Sequence, residues 1–206
     1  MSEEKLVQTV QNVRIAVADP SAIGLFGLAM VTLVASSQKL GLTEGTALII
    51  PWAIFLGAFA QLYASLKDSK IGNTFGATAF AGYAFFWFAV GMSWMIQNGV
   101  FGETIQGAAD PKQLGIAFVG YLIFTLYMTY GAAGTHKALF TIFVLIDLLF
   151  IGLALSTLGH IEFGHWLAAF SELFISLVSF YASAASVLNT HYGKIVLPVG
   201  KPFIKR

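Results

Sequence analysis

The sequence predicts an all-α integral membrane protein with six transmembrane helices and both termini in the cytoplasm. Three observations predict it. The 206 residues are 57% apolar and only 10% charged, with a mean hydropathy of +0.79. A soluble domain carries about 25% charged residues, so this chain has too few charges to cover a surface facing water. Six apolar stretches then recur: Pro20–Leu40, Gly45–Leu66, Thr74–Gln97, Gln113–Thr135, Ala138–Leu158 and Phe163–Asn189. Each approaches or exceeds the roughly 20 residues that cross a bilayer. Finally, an inside amino terminus puts Lys5, Arg14, Lys67, Lys70, Lys137, Lys194, Lys201, Lys205 and Arg206 in the cytoplasm, against Lys39 and Lys112 outside. Cationic loops stay inside.

These boundaries describe one membrane domain over residues 1–206. Residues 1–18 form a cytoplasmic amino-terminal segment, 19–190 the six spans, and 191–206 a cytoplasmic tail. Glu3 and Glu4 precede any apolar run, which does not fit a cleavable signal peptide. Leu6, Val10, Val13 and Val17 recur at helical spacing, so residues 5–17 either lie along the inner membrane surface or form a tail without structure.

The first span opens on Asp19-Pro20-Ser21-Ala22-Ile23-Gly24-Leu25, with Asp at the cap and Pro at the first helical position. Such a start marks a helix end at the interface, or free N–H groups that attract an anion at a pore mouth. Asp19 partly cancels the second effect. Span two carries Gln61, which either bonds a neighbouring helix or lines a watery path.

Span three lies within 32 uncharged residues, Ile71 to Gly102, that are dense in Gly, Thr, Asn and aromatics. Gly72 and Gly76 form a small-xxx-small pair suited to close helix approach. Tyr83, Phe86 and Trp87 fall at i, i+3 and i+4 and share a face, as core packing or as a gate. In span five, Asp147 sits among Leu and Ile near mid-bilayer, where a carboxylate must be neutral, paired or wet. A proton-coupling role and an inter-helix hydrogen bond both fit. Span six carries Glu172, Ser176, Ser179, Ser183, Ser186 and Thr190 at steps of 4, 3, 4, 3 and 4, a polar stripe along one helix face. It reads equally as a packing seam and as a hydrated lane.

Enzymatic chemistry finds no support. Cys is absent, and the four His fall at span ends or loops without metal-ligand spacing. Neither a phosphate-binding Gly loop nor a nucleophile elbow is present. No metal and no cofactor are expected. A net charge of +1 carries no nucleic-acid footprint.

Gly72-Asn73-Thr74-Phe75-Gly76, followed by Thr78-Ala79-Phe80, Tyr83 and Phe86-Trp87, resembles the signature of the acetate uptake transporter family, the succinate–acetate permeases. The Asp19–Leu25 opening is similar to that family's Asn-Pro-Ala-Pro-Leu-Gly-Leu, with Asp19 for Asn and Ala22 for Pro. Tyr181, Val187-Leu188-Asn189 and Leu197-Pro198-Val199-Gly200 resemble its last span and tail. The resemblance implies a six-helix protomer in a homo-hexamer, with a narrow path for acetate, and in some members succinate, through each protomer. It implies a hydrophobic constriction at Leu28, Tyr83 and Ile146, where many members have Phe at the first position. Gln61, Asn73 and Trp87 match positions near the path, and Ser179 matches one that influences substrate size. Asp19, Pro20, Gly24 and Leu25 form the inner-mouth motif. Asp147 is not part of the resemblance, so Asp147 and Glu172 stand as candidates for proton or charge-selectivity roles.

The expected function is therefore a plasma-membrane permease for acetate and related small carboxylates. A non-transporting sensor or assembly partner, and a channel for cations or neutral solutes, are the alternatives.

Overall fold

A computed structural model describes residues 17–204. All regular elements among them are helical. The expectation for residues 5–17 falls outside this range except at Val17. In chain order the helices are α1 (Ser21–Lys39), α2, α3 (Thr74–Gln97), the short α4 (Glu103–Ala108), α5 (Pro111–Ala132), α6 (Lys137–Gly159) and α7 (Glu162–Tyr192). Five of them, α1, α3, α5, α6 and α7, are long and apolar enough to cross a membrane.

Helix α2 is different. It runs as an α-helix over Ile50–Trp52, as a π-helix over Ala53–Ala60, and as an α-helix again over Gln61–Lys70. Wider π turns disturb the regular hydrogen-bond ladder. Within hydrocarbon every backbone group needs a partner, and here the Gln61 side chain supplies one, donating from Nε2 to the Gly57 carbonyl at 2.7 Å. Three of the remaining helices, α3, α5 and α6, begin with side-chain caps. Asn73 accepts from the Gly76 N–H at 3.2 Å, and Asp110, with Pro111 behind it, accepts from Lys112 at 2.9 Å. His136 Nδ1 accepts from the Leu139 N–H at 3.1 Å. At the start of α1, helical residues begin at Ser21 rather than at Pro20, and Asp19 Oδ1 accepts the Ser21 N–H at 2.9 Å. The longest connection, after α3, is not bare loop but carries α4.

Packed neighbours follow one another as α5, α6, α7, α1, α2 and α3. The two ends of this series, α3 and α5, meet through side chains: Phe86 against Tyr121 with ring centroids 5.0 Å apart, and Tyr83 Oη on Thr125 Oγ1 at 3.0 Å. The helices thus close on themselves around a common axis. Where α6 crosses α7, Gly152 and Gly164 bring backbones together; a Cβ on Gly152 would stand 2.6 Å from the Ala168 nitrogen. No side chain fits there.

The polar stripe of α7 lies along α1. Ser176 Oγ donates to the Ala29 carbonyl at 2.8 Å, Ser183 Oγ to the Ala22 carbonyl at 2.7 Å, and Ser186 Oγ to Asp19 Oδ2. Glu172 pairs with Lys39 at 2.8 Å. These partners match the packing-seam reading: the hydroxyls satisfy a second bond on helical carbonyls and lock two spans in register. Exposed apolar side chains cover the outside of the bundle, with Phe55, Phe59 and Tyr63 on α2, Ile116, Ile123 and Tyr127 on α5, and Phe163, Phe170 and Phe174 on α7.

Candidate functional site: two cavities on one axis

Two cavities lie along the axis inside the helix ring. One, of about 330 Å³, opens near the chain termini and is lined from α1 by Ser21, Leu25 and Leu28, and from α2 by Gln61 and Asp68. Helix α3 contributes Asn73, Gly76, Phe80 and Tyr83, and the α6 side contributes His136, Ile142, Phe143 and Ile146. The other, of about 260 Å³, lies toward the far ends of the same helices, lined by Gln38, Lys39, Phe86, Trp87, Trp94, Gln97, Leu153 and Glu172. We call them the terminus-side and far-side cavities. On every shared helix the lining shifts along the chain, from 73–83 to 86–97 on α3 and from 136–146 to 153–157 on α6. The two therefore follow one another along the axis.

Leu28, Tyr83 and Ile146 are all buried and line the terminus-side cavity. Behind them Phe86 packs edge-on to Phe150 at 5.2 Å and to Trp87 at 5.3 Å, and Tyr121 stacks on Phe150 at 5.6 Å. Tyr83 is fixed by Thr125, whose own Oγ1 also donates to the Tyr121 carbonyl at 2.8 Å. The aromatic face of α3 is thus part of the core and also lines both cavities. Core packing and a place on the axis do not exclude one another here.

Of the residues singled out in the sequence, Leu25, Leu28, Gln61, Asn73, Tyr83 and Ile146 meet at the terminus-side cavity, and Trp87 and Glu172 at the far-side one. Gly24 lies just outside; a Cβ on it would meet the Phe80 ring at 2.4 Å. Asp19 and Pro20 border a shallow surface hollow with Tyr63 and Lys67 instead of the axial cavity. Ser179 lines neither cavity; it is fully buried, and its Oγ has no hydrogen-bond partner. Asp147 faces α5, where Thr129 Oγ1 donates to its Oδ2 at 2.7 Å while Oδ1 is buried without a donor. That bond is the inter-helix contact that was one of its two sequence readings.

The Gly72 and Gly76 pair does something other than helix packing. Gly72 sits in the turn before α3 at φ +74°, a left-handed conformation that glycine adopts without strain. Gly76 leaves room for the Asp68 carboxyl, since a Cβ there would lie 2.1 Å from Asp68 Oδ2. Asn73 completes the arrangement by donating from Nδ2 to Asp68 Oδ1 at 2.8 Å. The motif therefore ties the end of α2 to the start of α3 through a carboxylate that the sequence analysis did not single out. Its only signal was the spacing of Asp68 to Asn73 and Gly76.

Asp68, two residues past the predicted span end at Leu66, is buried, and burial pushes its carboxyl above the usual range; the Asn73 hydrogen bond pulls it back and the nearby Asp19 charge adds to the rise. His136 was missed as well. Burial lowers its pKa, with Asp19 opposing, so the ring stays neutral with Nδ1 free to cap α6. The two cavities differ in chemistry. At the terminus-side cavity the unpaired buried atoms are acceptors, Gln61 Oε1 and Asp68 Oδ2. At the far-side cavity the free groups include strong donors: among the described residues, the indole N–H groups of Trp87 and Trp94 have no acceptor, and Lys39 Nζ uses one of its three N–H groups.

Comparison with known proteins gives a consistent result. The GPR1/FUN34/yaaH family model matches residues 4–201. The chain is 32% identical to the succinate-acetate/proton symporter SatP of Escherichia coli, over 89% of this chain and 96% of that protein. It is 27% identical to acetate permease A of Emericella nidulans, over 88% of this chain and 65% of that one. Among solved structures, the bacterial acetate channel SatP superposes with a TM-score of 0.83 at 29% identity, covering 90% of this chain and all of the other.

Proposed function

Because the chain belongs to the GPR1/FUN34/yaaH family, we propose that it is a membrane permease conducting acetate and related small carboxylates, succinate among them. The observation that carries this reading is the pair of axial cavities inside one helix ring, with buried Leu28, Tyr83 and Ile146 lining the terminus-side one; we take these three as the plug between the two. An apolar constriction makes a small anion shed water, while donors on either side replace part of its hydration. Trp87, Trp94, Lys39 and Asn73 are such donors.

The protomer crosses the plasma membrane six times, with α2 as the span beyond the five regular ones. Both termini and the terminus-side cavity face the cytoplasm, in keeping with nine of eleven Lys and Arg on that side. The whole chain acts as a single membrane domain, with 19–190 as its pore-forming part. The exposed aromatic faces of α2, α5 and α7 meet lipid or neighbouring protomers in a homo-hexamer, each protomer carrying its own path. Small carboxylates and the bilayer are its partners.

The terminus-side cavity favours movement of the carboxylate together with a proton. A carboxylate offers only acceptors, and the unpaired atoms there are acceptors too. A proton on Asp68, or on the substrate, turns that mismatch into a hydrogen bond. The test is uptake of labelled C1 to C4 acids into proteoliposomes, with and without an imposed proton gradient. We expect acetate uptake above protein-free vesicles, and accumulation against its gradient when the proton gradient alone drives it. Protein-free vesicles correct for diffusion of undissociated acid. Equal rates with and without protein would overturn the permease reading.

A further inference from the structure

The far-side cavity contains a charge pair whose geometry suits exchange. Lys39 is the last residue of α1, and its backbone carbonyl is bonded to the His165 ring Nε2 at 2.9 Å. From that fixed base its side chain reaches into the cavity wall, where Nζ donates to Glu172 Oε2 at 2.8 Å. Glu172 is almost wholly buried, whereas the Lys39 side chain keeps 17% of its surface open. The ammonium has three N–H donors and, among the described residues, Glu172 as its one partner. Beside it stand the unpaired indole N–H groups of Trp87 and Trp94 and the amide of Gln97.

A partly buried cation beside several free donors in a cavity is a site for a carboxylate, and here a carboxylate tethered to the protein already occupies it. A buried ion pair contributes little net stability against apolar packing, so stability alone does not account for placing it on the axis. We propose that Lys39 is the anion-binding group of the far-side cavity, and that Glu172 is its built-in competitor, which an entering monocarboxylate displaces from Nζ. The inference rests on the permease reading above. Glu172 keeps the ammonium neutralised while no substrate is present. The arriving carboxylate takes over the N–H of Lys39 that Glu172 held and adds an indole N–H, while Glu172 gives up its bond. Because Glu172 stays tethered in the cavity, the site carries one net negative charge while the anion is bound, and that repulsion keeps the anion from being trapped.

The test is acetate binding read by tryptophan fluorescence in a Trp52→Phe/Trp166→Phe background, where only Trp87 and Trp94 of the four tryptophans report. Sodium acetate is titrated at constant ionic strength, and labelled acetate flux is measured on the same reconstituted proteins. Glu172→Gln removes the competitor's charge and should lower the half-saturating acetate concentration several-fold in both assays. Lys39→Met/Glu172→Gln removes both charges without leaving one stranded, and should abolish the fluorescence response. Lys39→Arg, which keeps the pair, should retain it. A purely structural pair predicts instead that Glu172→Gln loses thermal stability with no tighter binding. Unchanged half-saturation in Glu172→Gln, or an intact response in the double variant, overturns the inference while leaving flux by the unaltered protein as evidence for the permease. Absence of flux in the unaltered protein overturns the permease reading itself.

Discussion

Asp68, His136 and Asp147 show how three titratable groups on one molecule take different tasks from their surroundings. Asp68 is raised by burial at the edge of the terminus-side cavity. Lowering the pH through that raised value neutralises the carboxyl and removes its repulsion of an entering anion. Asp68→Asn should therefore flatten the acid side of the flux–pH profile, read as acetate uptake at a series of pH values. His136 moves the other way. Its lowered pKa means that its cap on Leu139 is fully present above the ordinary imidazole range and is lost as pH falls through the folded value. Amide exchange at Leu139 should quicken on acidification, and His136→Asn, which keeps a capping acceptor, should remove that pH dependence. An N-cap contributes about 1 kcal/mol, so His136→Ala should cost that order of stability. Asp147, bonded to Thr129, is a tie between α5 and α6. Asp147→Asn retains the acceptor, so flux should keep its pH dependence; a flat profile would make Asp147 the proton carrier instead.

At the scale of elements, the helix boundaries were largely legible in the sequence because apolar stretches end at charges and capping residues. Thr74–Gln97 has the same limits in both readings, and the others shift by a few residues. The π segment of α2 was not legible. It depends on Gly57 lying against the Trp87 ring, where a Cβ would come within 2.7 Å, and on Gln61 reaching back to the Gly57 carbonyl. Both are tertiary facts that no periodicity encodes. The α7 stripe was legible as a stripe, but its partner was not, since hydroxyls at helical spacing suit water and a neighbouring helix equally. Packing of α6 on α7 gives a stability prediction. Gly152→Ala forces backbones apart and should cost about 1–3 kcal/mol as overpacking, seen as a lower melting temperature in detergent, while Gly120→Ala, with open space around it, should not.

Considered as a whole, the molecule is a ring of helices with a cavity toward each end of its axis, both of them lined in part by α1, α3 and α6. Leu28, Tyr83 and Ile146, which meet at the terminus-side cavity, stand 55 and 63 positions apart in sequence (Leu28 to Tyr83, Tyr83 to Ile146). Their meeting followed from resemblance and not from composition. The different chemistry of the two cavities, buried unpaired acceptors at one end and an ammonium with indole donors at the other, came only with side-chain positions. The central claim is that substrate passes the plug, with Tyr83 setting its width. The most direct measurement is the ratio of labelled acetate to labelled succinate entry into proteoliposomes, for the unaltered protein and for Tyr83→Ala. The account predicts that acetate enters faster than succinate in the unaltered protein, and that Tyr83→Ala brings the ratio several-fold closer to one. An unchanged ratio in a variant that still conducts would contradict it.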